Sequence, residues 1–277
     1  MEVVNLEYLN HLRDLISANE NEQIKEMLAN LHPADIAEVI DELSLDDAIK
    51  IYRSLDNELA ADVLIEMDED NRNKLLNSLS SETIARRFVD HMDTDDAVEI
   101  IRSMEDDKQD EVLSQLENFE QAGDIVELLK YNEDTAGGHM QTEMVVVNEN
   151  WSMPECVKEM RVQAENLEHM YYVYVVDDEE RLQGIFPLKS MITSPSISKV
   201  KHVMTRDYKA VDTDTSMEDV ITTIEKYDLV AVPVIDAIGR LVGQITVDDV
   251  MDEAREMSEK DYQMASGLSQ DVEGDDG

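Results

Sequence analysis

Leu229-Val230-Ala231-Val232-Pro233-Val234-Ile235-Asp236-Ala237-Ile238-Gly239-Arg240-Leu241-Val242-Gly243-Gln244-Ile245-Thr246 is the stretch that decides the fold. Two apolar runs of strand length flank Asp236 to Arg240, and Asp and Gly are the residues a tight turn takes, so the stretch predicts an antiparallel hairpin over 229–235 and 241–246. Working outward, Val247 opens a helix. Upstream, Ala210-Val211 reads as a short strand, and Asp214-Thr215-Ser216 caps a helix running through Ile224. The unit is β-α-β-β-α.

A second copy lies earlier in the chain, with Asp177 to Gly184 standing 59 residues ahead of Asp236 to Gly243. It predicts strand 144–147, helix 153–162, strand 171–176, a turn over 177–181, strand 182–186 and helix 188–192. Thr193-Ser194-Pro195-Ser196 links the copies.

The first half of the chain has a different period. An apolar residue returns almost every twelve positions, at Leu31, Leu43, Leu55, Met67, Leu79, Met92, Met104 and Leu116. Each interval opens with Ser, Asp or Thr and acids, the residues of helix N-caps and first turns, and is expected to close on an apolar pair. Helices of two to three turns are marginal alone and must stack, so the repeat predicts a superhelical array, with Leu6 to Ile16 as a preceding helix. One more helix over 117–131 leads to Thr135-Ala136-Gly137-Gly138, which is expected to act as a hinge.

Composition narrows the function. With 65 acidic and 23 basic side chains the net charge is −42, which argues against nucleic acid and anionic lipid as partners. The excess is shared: residues 1–130 carry 34 acids and 11 bases, residues 131–277 carry 31 and 12. A single cysteine, Cys156, and six scattered histidines give no zinc-type spacing, and phosphate-binding, nucleophile-elbow and dinucleotide motifs are lacking, so an enzyme is not expected. The apolar runs are strand-sized and predict neither a signal peptide nor a membrane span. Tyr171-Tyr172 and Trp151 could stack a base, but read first as strand and packing aromatics.

The acids have positions that could hold magnesium, a hard ion that keeps much of its water and needs one or two carboxylates. Asp95 and Glu99 lie four apart on one helical face, Asp62 begins the apolar part of another repeat, Glu218 and Asp228 flank the helix before strand 229–235, and Asp249 and Asp252 lie three apart on the last helix. Taken singly, each reads as solvated surface.

The tandem β-α-β-β-α units with their Asp…Gly-Arg-Leu-x-Gly hairpin resemble a pair of CBS domains. The full order, helical repeat, then Glu133-Asp134-Thr135-Ala136-Gly137-Gly138-His139-Met140, then two modules and an acidic end, is similar to the cytosolic region of the MgtE family of magnesium transporters. Tyr171 to Asp177 and Gly239 to Gly243 running into Thr246-Val247-Asp248-Asp249-Val250 carry the match. It implies a superhelical α domain over 1–130, CBS modules over 131–196 and 197–256, and over 257–277 the start of a connecting, or plug, helix, the transmembrane pore lying beyond. A chain ending at Gly277 would then be a piece of a longer one, from the cytoplasmic face of the membrane.

The resemblance further implies metal positions at Asp62, Asp95, Glu99, Glu218, Asp228, Asp249, Asp252 and Asp261, with departures at Ser216 and Lys260, where the family pattern has acids. Mg2+ between acidic faces would favour a compact, closed state. It implies a homodimer through the CBS modules. CBS pairs also bind adenine nucleotides, ATP among them, through a Gly-x-x-Thr/Ser-x-x-Asp signature. The second copy keeps it, placing Thr246 and Asp249 on the ribose, whereas the first has Pro187. Two other readings stay open: a freestanding nucleotide-responsive CBS protein, and a helical scaffold of the kind found in flagellar motor switch proteins.

Overall fold

Ser44, Asp56, Asp68 and Ser80 each turn a side-chain oxygen onto a backbone N–H of the following helix, which is why the twelve-residue repeat becomes a string of short helices. The structure is a computed structural model and describes residues 6–167, 169–187, 189, 193, 195, 197–255, 257–258 and 262. It divides into two compact units, Met1–Val126 and Glu127–Gly277.

The first unit contains helices α1 (Leu6–Ala18), α2 (Asn21–Leu28), α3 (Pro33–Asp41), α4 (Leu45–Ser54), α5 (Asn57–Ile65), α6 (Glu69–Ser78), α7 (Ser81–Arg87), α8 (Thr94–Arg102), α9 (Asp106–Gln115) and α10 (Phe119–Leu128), the last crossing the boundary. They stack in two rows, α2 on α4 on α6 and α3 on α5 on α7 on α9. Ile36, Ala60, Leu64, Ile84, Ile51 and Leu75 fill the space between. Of the periodic apolar residues, Leu55, Leu79 and Leu116 cap the C-termini of α4, α6 and α9. Leu55, Met67, Met92 and Met104 lie one residue ahead of the next helix cap and are buried there. An apolar residue in that place fixes the angle at which the chain enters the helix.

Two arginines, Arg72 buried and Arg87 half-buried, tie the stack. Arg87 donates to the carbonyls of Tyr52 and Leu55 at the end of α4, where helical carbonyls lack partners, and Arg72 donates to Ile65 O and to Glu99 Oε1 at 2.5 Å.

The second unit begins with a single helical turn, α11 (Ala136–His139). Strand β1 (Val145–Asn148) pairs parallel with β2 (Val173–Val176), which pairs antiparallel with β3 (Leu182–Phe186). Helix α12 (Met153–Gln163), entered by a Ser152–Glu155 capping box, covers this sheet with Met153, Cys156 and Met160. The second copy repeats the plan with β4 (Val211–Asp212), helix α13 (Met217–Tyr227), β5 (Ala231–Ile235), β6 (Leu241–Thr246) and a helix over 247–255, α14. Even the irregularity recurs, at Val175/Val176 and at Val234/Ile235. The helix expected over 188–192 falls largely outside the described residues, as does the connecting helix beyond 255.

The copies interlock. Gln141, ahead of the first module, exchanges both backbone hydrogen bonds with Gln244 of β6 (2.9 and 3.0 Å), and Thr205, ahead of the second, does the same with Ile185 of β3 (3.0 and 2.9 Å). Each copy's entry segment thus extends the other's sheet. This explains the hairpin glycines: a Cβ on Gly243 would lie 2.8 Å from Gln141 O, and one on Gly184 would run into Thr205 O.

Thr135 to Gly138 is no hinge. The Ala136 and Gly137 N–H groups donate to Thr215 O (2.8 Å) and Thr213 O (2.9 Å), and a Cβ on Gly138 would strike Asn132 O. The two glycines are there for close approach of backbone to backbone, not for freedom of rotation.

Candidate functional site: a cleft and a scatter of acids

The two modules, related by 59 residues, meet face to face, and their sequences there have diverged. On one side, Tyr171, Tyr172, Ile185, Phe186, Pro187, Thr205, Asp207, Tyr208, Lys209, Leu229 and Ala231 line an opening of about 340 Å³. That size falls in the range of small-ligand sites, about 300–1,000 Å³. Tyr171 and Tyr172 stand ahead of β2, which begins only at Val173, so they are cleft wall rather than strand. Tyr208 Oη donates to Leu182 O at 3.2 Å and holds the second wall against β3.

On the other side, where the second copy keeps the signature, the side chains bond to one another. Tyr174, buried, donates to Gln244 Oε1 at 2.9 Å, and Gln244 Nε2 donates to Glu143 O at 2.7 Å. Thr246 and Asp249, the residues implied for a ribose, bond to each other: Asp249 Oδ2 accepts from the Thr246 hydroxyl and from its N–H at 3.3 Å, capping α14. Thr246 is 3% exposed, so its hydroxyl is turned inward. Burial, with Asp248 and Asp252 adding to it, raises the Asp249 carboxyl above its ordinary range although the Thr246 bonds oppose the shift. The cleft of about 340 Å³ thus lies on the side whose signature is broken at Pro187. Sequence reading missed it because Tyr171-Tyr172, Asp207 to Lys209 and Leu229 converge only through the interlock.

The acids are dispersed. Asp62 is exposed on α5, Asp95 lies half-buried in the first turn of α8, and Glu99, one turn on, is held by Arg72. Glu218 and Asp228 sit at opposite ends of α13, about 15 Å apart by helical rise, and so cannot share an ion. Asp228 ends that helix in a left-handed conformation, φ 50°. Asp252 pairs with Arg255 at 2.7 Å. Asp261 lies outside the described residues. Among the described residues no group of three or more acidic, His or Cys side chains is gathered to cage a metal. A hydrated divalent ion needs only one or two carboxylates.

Cys156 is fully buried with its thiol pushed up to about 11 by burial, a packing residue.

The paired, interlocked modules with a small-molecule cleft define the class, a CBS pair: residues 136–195 and 200–256 match the CBS domain, and residues 31–134 match the MgtE intracellular N domain. The chain belongs to the MgtE family. It is 30% identical over 242 residues to the magnesium transporter MgtE of Thermus thermophilus, covering 87% of this chain and 54% of that protein. It is 37% identical over 154 residues to MgtE of Enterococcus faecalis, 56% of this chain and 34% of that one. The chain thus spans about half or less of these two relatives. A crystal structure of the soluble part of a magnesium transporter superposes with TM-score 0.79 at 30% identity, over 91% of this chain and 98% of the other. The cytosolic domain of the Mg2+ channel MgtE in complex with ATP gives 0.80 at 30%, over 88% and 99%.

Proposed function

We propose that this chain is the magnesium-sensing, regulatory portion of a magnesium transporter or channel, lying at the cytoplasmic face of the membrane and acting on a transmembrane domain of the full-length protein. Mg2+ ions settle between the acidic helical unit and the acidic CBS unit and favour a compact state in which the pore is closed. The chain dimerises through its CBS modules. The observation that carries the reading is the charge: both units of a family member are strongly acidic, and their candidate carboxylates stand singly on helices. Two facing carboxylates about 5 Å apart repel by about a kcal/mol near water, and an ion between them reverses the sign. Several weak ions acting together steepen the shift between states.

A second ligand is favoured by the cleft. An adenine nucleotide, as in the ATP complex of the related channel domain, occupies the Tyr171–Tyr172–Lys209 cleft rather than the Thr246–Asp249 side, where the hydroxyl and carboxylate are already spent on each other.

Small-angle scattering with millimolar Mg2+ against chelator tests the sensing. The expected outcome is a smaller radius of gyration with Mg2+, and a weaker response when Asp62, Asp95, Asp228, Asp249 and Asp252 are changed together to Asn. Glu99 is left intact because its loss would strand the buried Arg72 guanidinium. An unchanged radius in the parent protein, or an equal response in the variant, sinks the proposal.

A further inference from the structure

Glu99 is one of the carboxylates that the family resemblance implies for magnesium, and it already has a cation. Arg72 Nη2, from α6, lies 2.5 Å from Glu99 Oε1 on α8, while Arg72 Nη1 donates to Ile65 O at 3.3 Å. The partners differ in burial: the Arg72 side chain is 10% exposed and that of Glu99 56%. The third guanidinium nitrogen, Nε, is buried without a hydrogen-bond partner. Asp41, which with Arg72 bears on the buried Tyr52 phenol, is spent on the Asp68 N–H and on Asn71 Nδ2. Asp95 stands one turn before Glu99 on the same face of α8, so a free Glu99 would complete a pair of carboxylates, as many as a hydrated divalent ion needs. An ion that took Glu99 would leave the guanidinium buried and unpaired, and a charge in that state is strongly destabilising.

We propose that Arg72 is a built-in competitor for the divalent ion: its guanidinium withdraws Glu99 from the magnesium-binding set and so raises the ion concentration at which the helical unit responds. The inference rests on the magnesium reading given above and adds to it the residue that tunes the response. Arginine suits the task because it is always charged, is more weakly hydrated than an ammonium group and offers donors in a fixed plane, so it stays in place when buried. The same bond joins α6 to α8 whether or not an ion is bound, and the stacking inside this unit therefore does not depend on the metal.

The test compares the 277-residue parent with R72Q, R72Q/E99Q and K74Q, the last removing an exposed charge from the same helix as a control for net charge. Taking away the arginine leaves behind the exposed partner, which water solvates, so the fold is expected to survive; R72M replaces R72Q if thermal melts show otherwise. Two readouts are taken: the Mg2+ midpoint of the radius of gyration, and the binding of Mn2+, an ion that prefers the same oxygen ligands, from the electron paramagnetic resonance of the free ion. Both are expected to move to about fivefold lower ion concentration in R72Q, to return toward the parent's values in R72Q/E99Q, and to change little in K74Q. An R72Q protein that matches the parent, a double variant that keeps the gain, or a K74Q protein that shifts as far as R72Q overturns the assignment. A parent whose radius ignores Mg2+ while R72Q still gains Mn2+ affinity through Glu99 overturns the sensing reading and leaves Arg72 the competitor.

Discussion

Glu180 and Gly239 hold the same turn position in the two copies, with φ of 64° and 84°. Left-handed backbone costs a residue with a Cβ about 1–2 kcal/mol, while glycine's freedom in the unfolded chain returns about 0.5–1. Glu180→Gly is therefore expected to stabilise the protein by up to about 1 kcal/mol, measured by urea unfolding; a clear loss of stability would contradict this account of the turn. Asp249 makes a second case. Its carboxyl is raised in the folded protein, so the native state holds that proton more tightly than the unfolded chain does. Stability falls as pH climbs from the ordinary carboxylate range through the raised value, and the penalty is complete above it. Asp249→Asn keeps an acceptor for the Thr246 N–H and removes the penalty. Thermal melts in chelator should show the variant ahead of the parent at neutral pH, with the lead vanishing in acid; a constant deficit at every pH would refute the assignment. Asp177 and Asp236 were legible as turn formers because each accepts N–H bonds two and four residues on. The strained Glu180 was not, because only a glycine advertises a left-handed position in sequence.

At the level of elements, β3 and β6 begin and end where alternation and turn residues place them, over 182–186 and 241–246. Strands β2 and β5 start two residues late. Tyr171-Tyr172 and Leu229-Val230 carry the same apolar signal as the strands they precede, yet Tyr171, Tyr172 and Leu229 face the cleft and stand outside the ladder. Hydrophobic pattern reports burial or contact, not hydrogen bonding. The exchange of Gln141 and Thr205 between sheets was likewise invisible, since a short polar segment carries no register of its own. What sequence did mark was its cause, the repeated glycine before the strand end. Gly243→Ala pushes a methyl against Gln141 O and the Met140 side chain, 2.8 and 2.9 Å away, and is expected to cost about 1–3 kcal/mol in chemical denaturation. A neutral result would mean that the entry segment is loosely held.

For the molecule as a whole, charge was the most legible property and pairing the least. The count of acids was plain in the sequence. That Arg72 holds Glu99, and that Arg255 pairs with Asp252, depended on packing and helix phase. The scattering experiment gains a control at this scale. Screening at about 0.15 M salt acts beyond about 8 Å whatever the ion, whereas bridging needs a divalent ion with open coordination sites. At matched ionic strength, NaCl should leave the radius of gyration near its chelator value while MgCl2 lowers it; equal effects of the two salts would reduce the response to screening.

The mutual borrowing of edge segments reaches beyond binding. Because Gln141 closes the sheet that ends in Gln244, and Thr205 closes the one that ends in Ile185, neither half owns all of its own backbone partners. A single half would carry an open flank that only another half can fill. Duplication, recombination or protein engineering must therefore move the two as one piece, and a cut through residues 193–199 would orphan both at once.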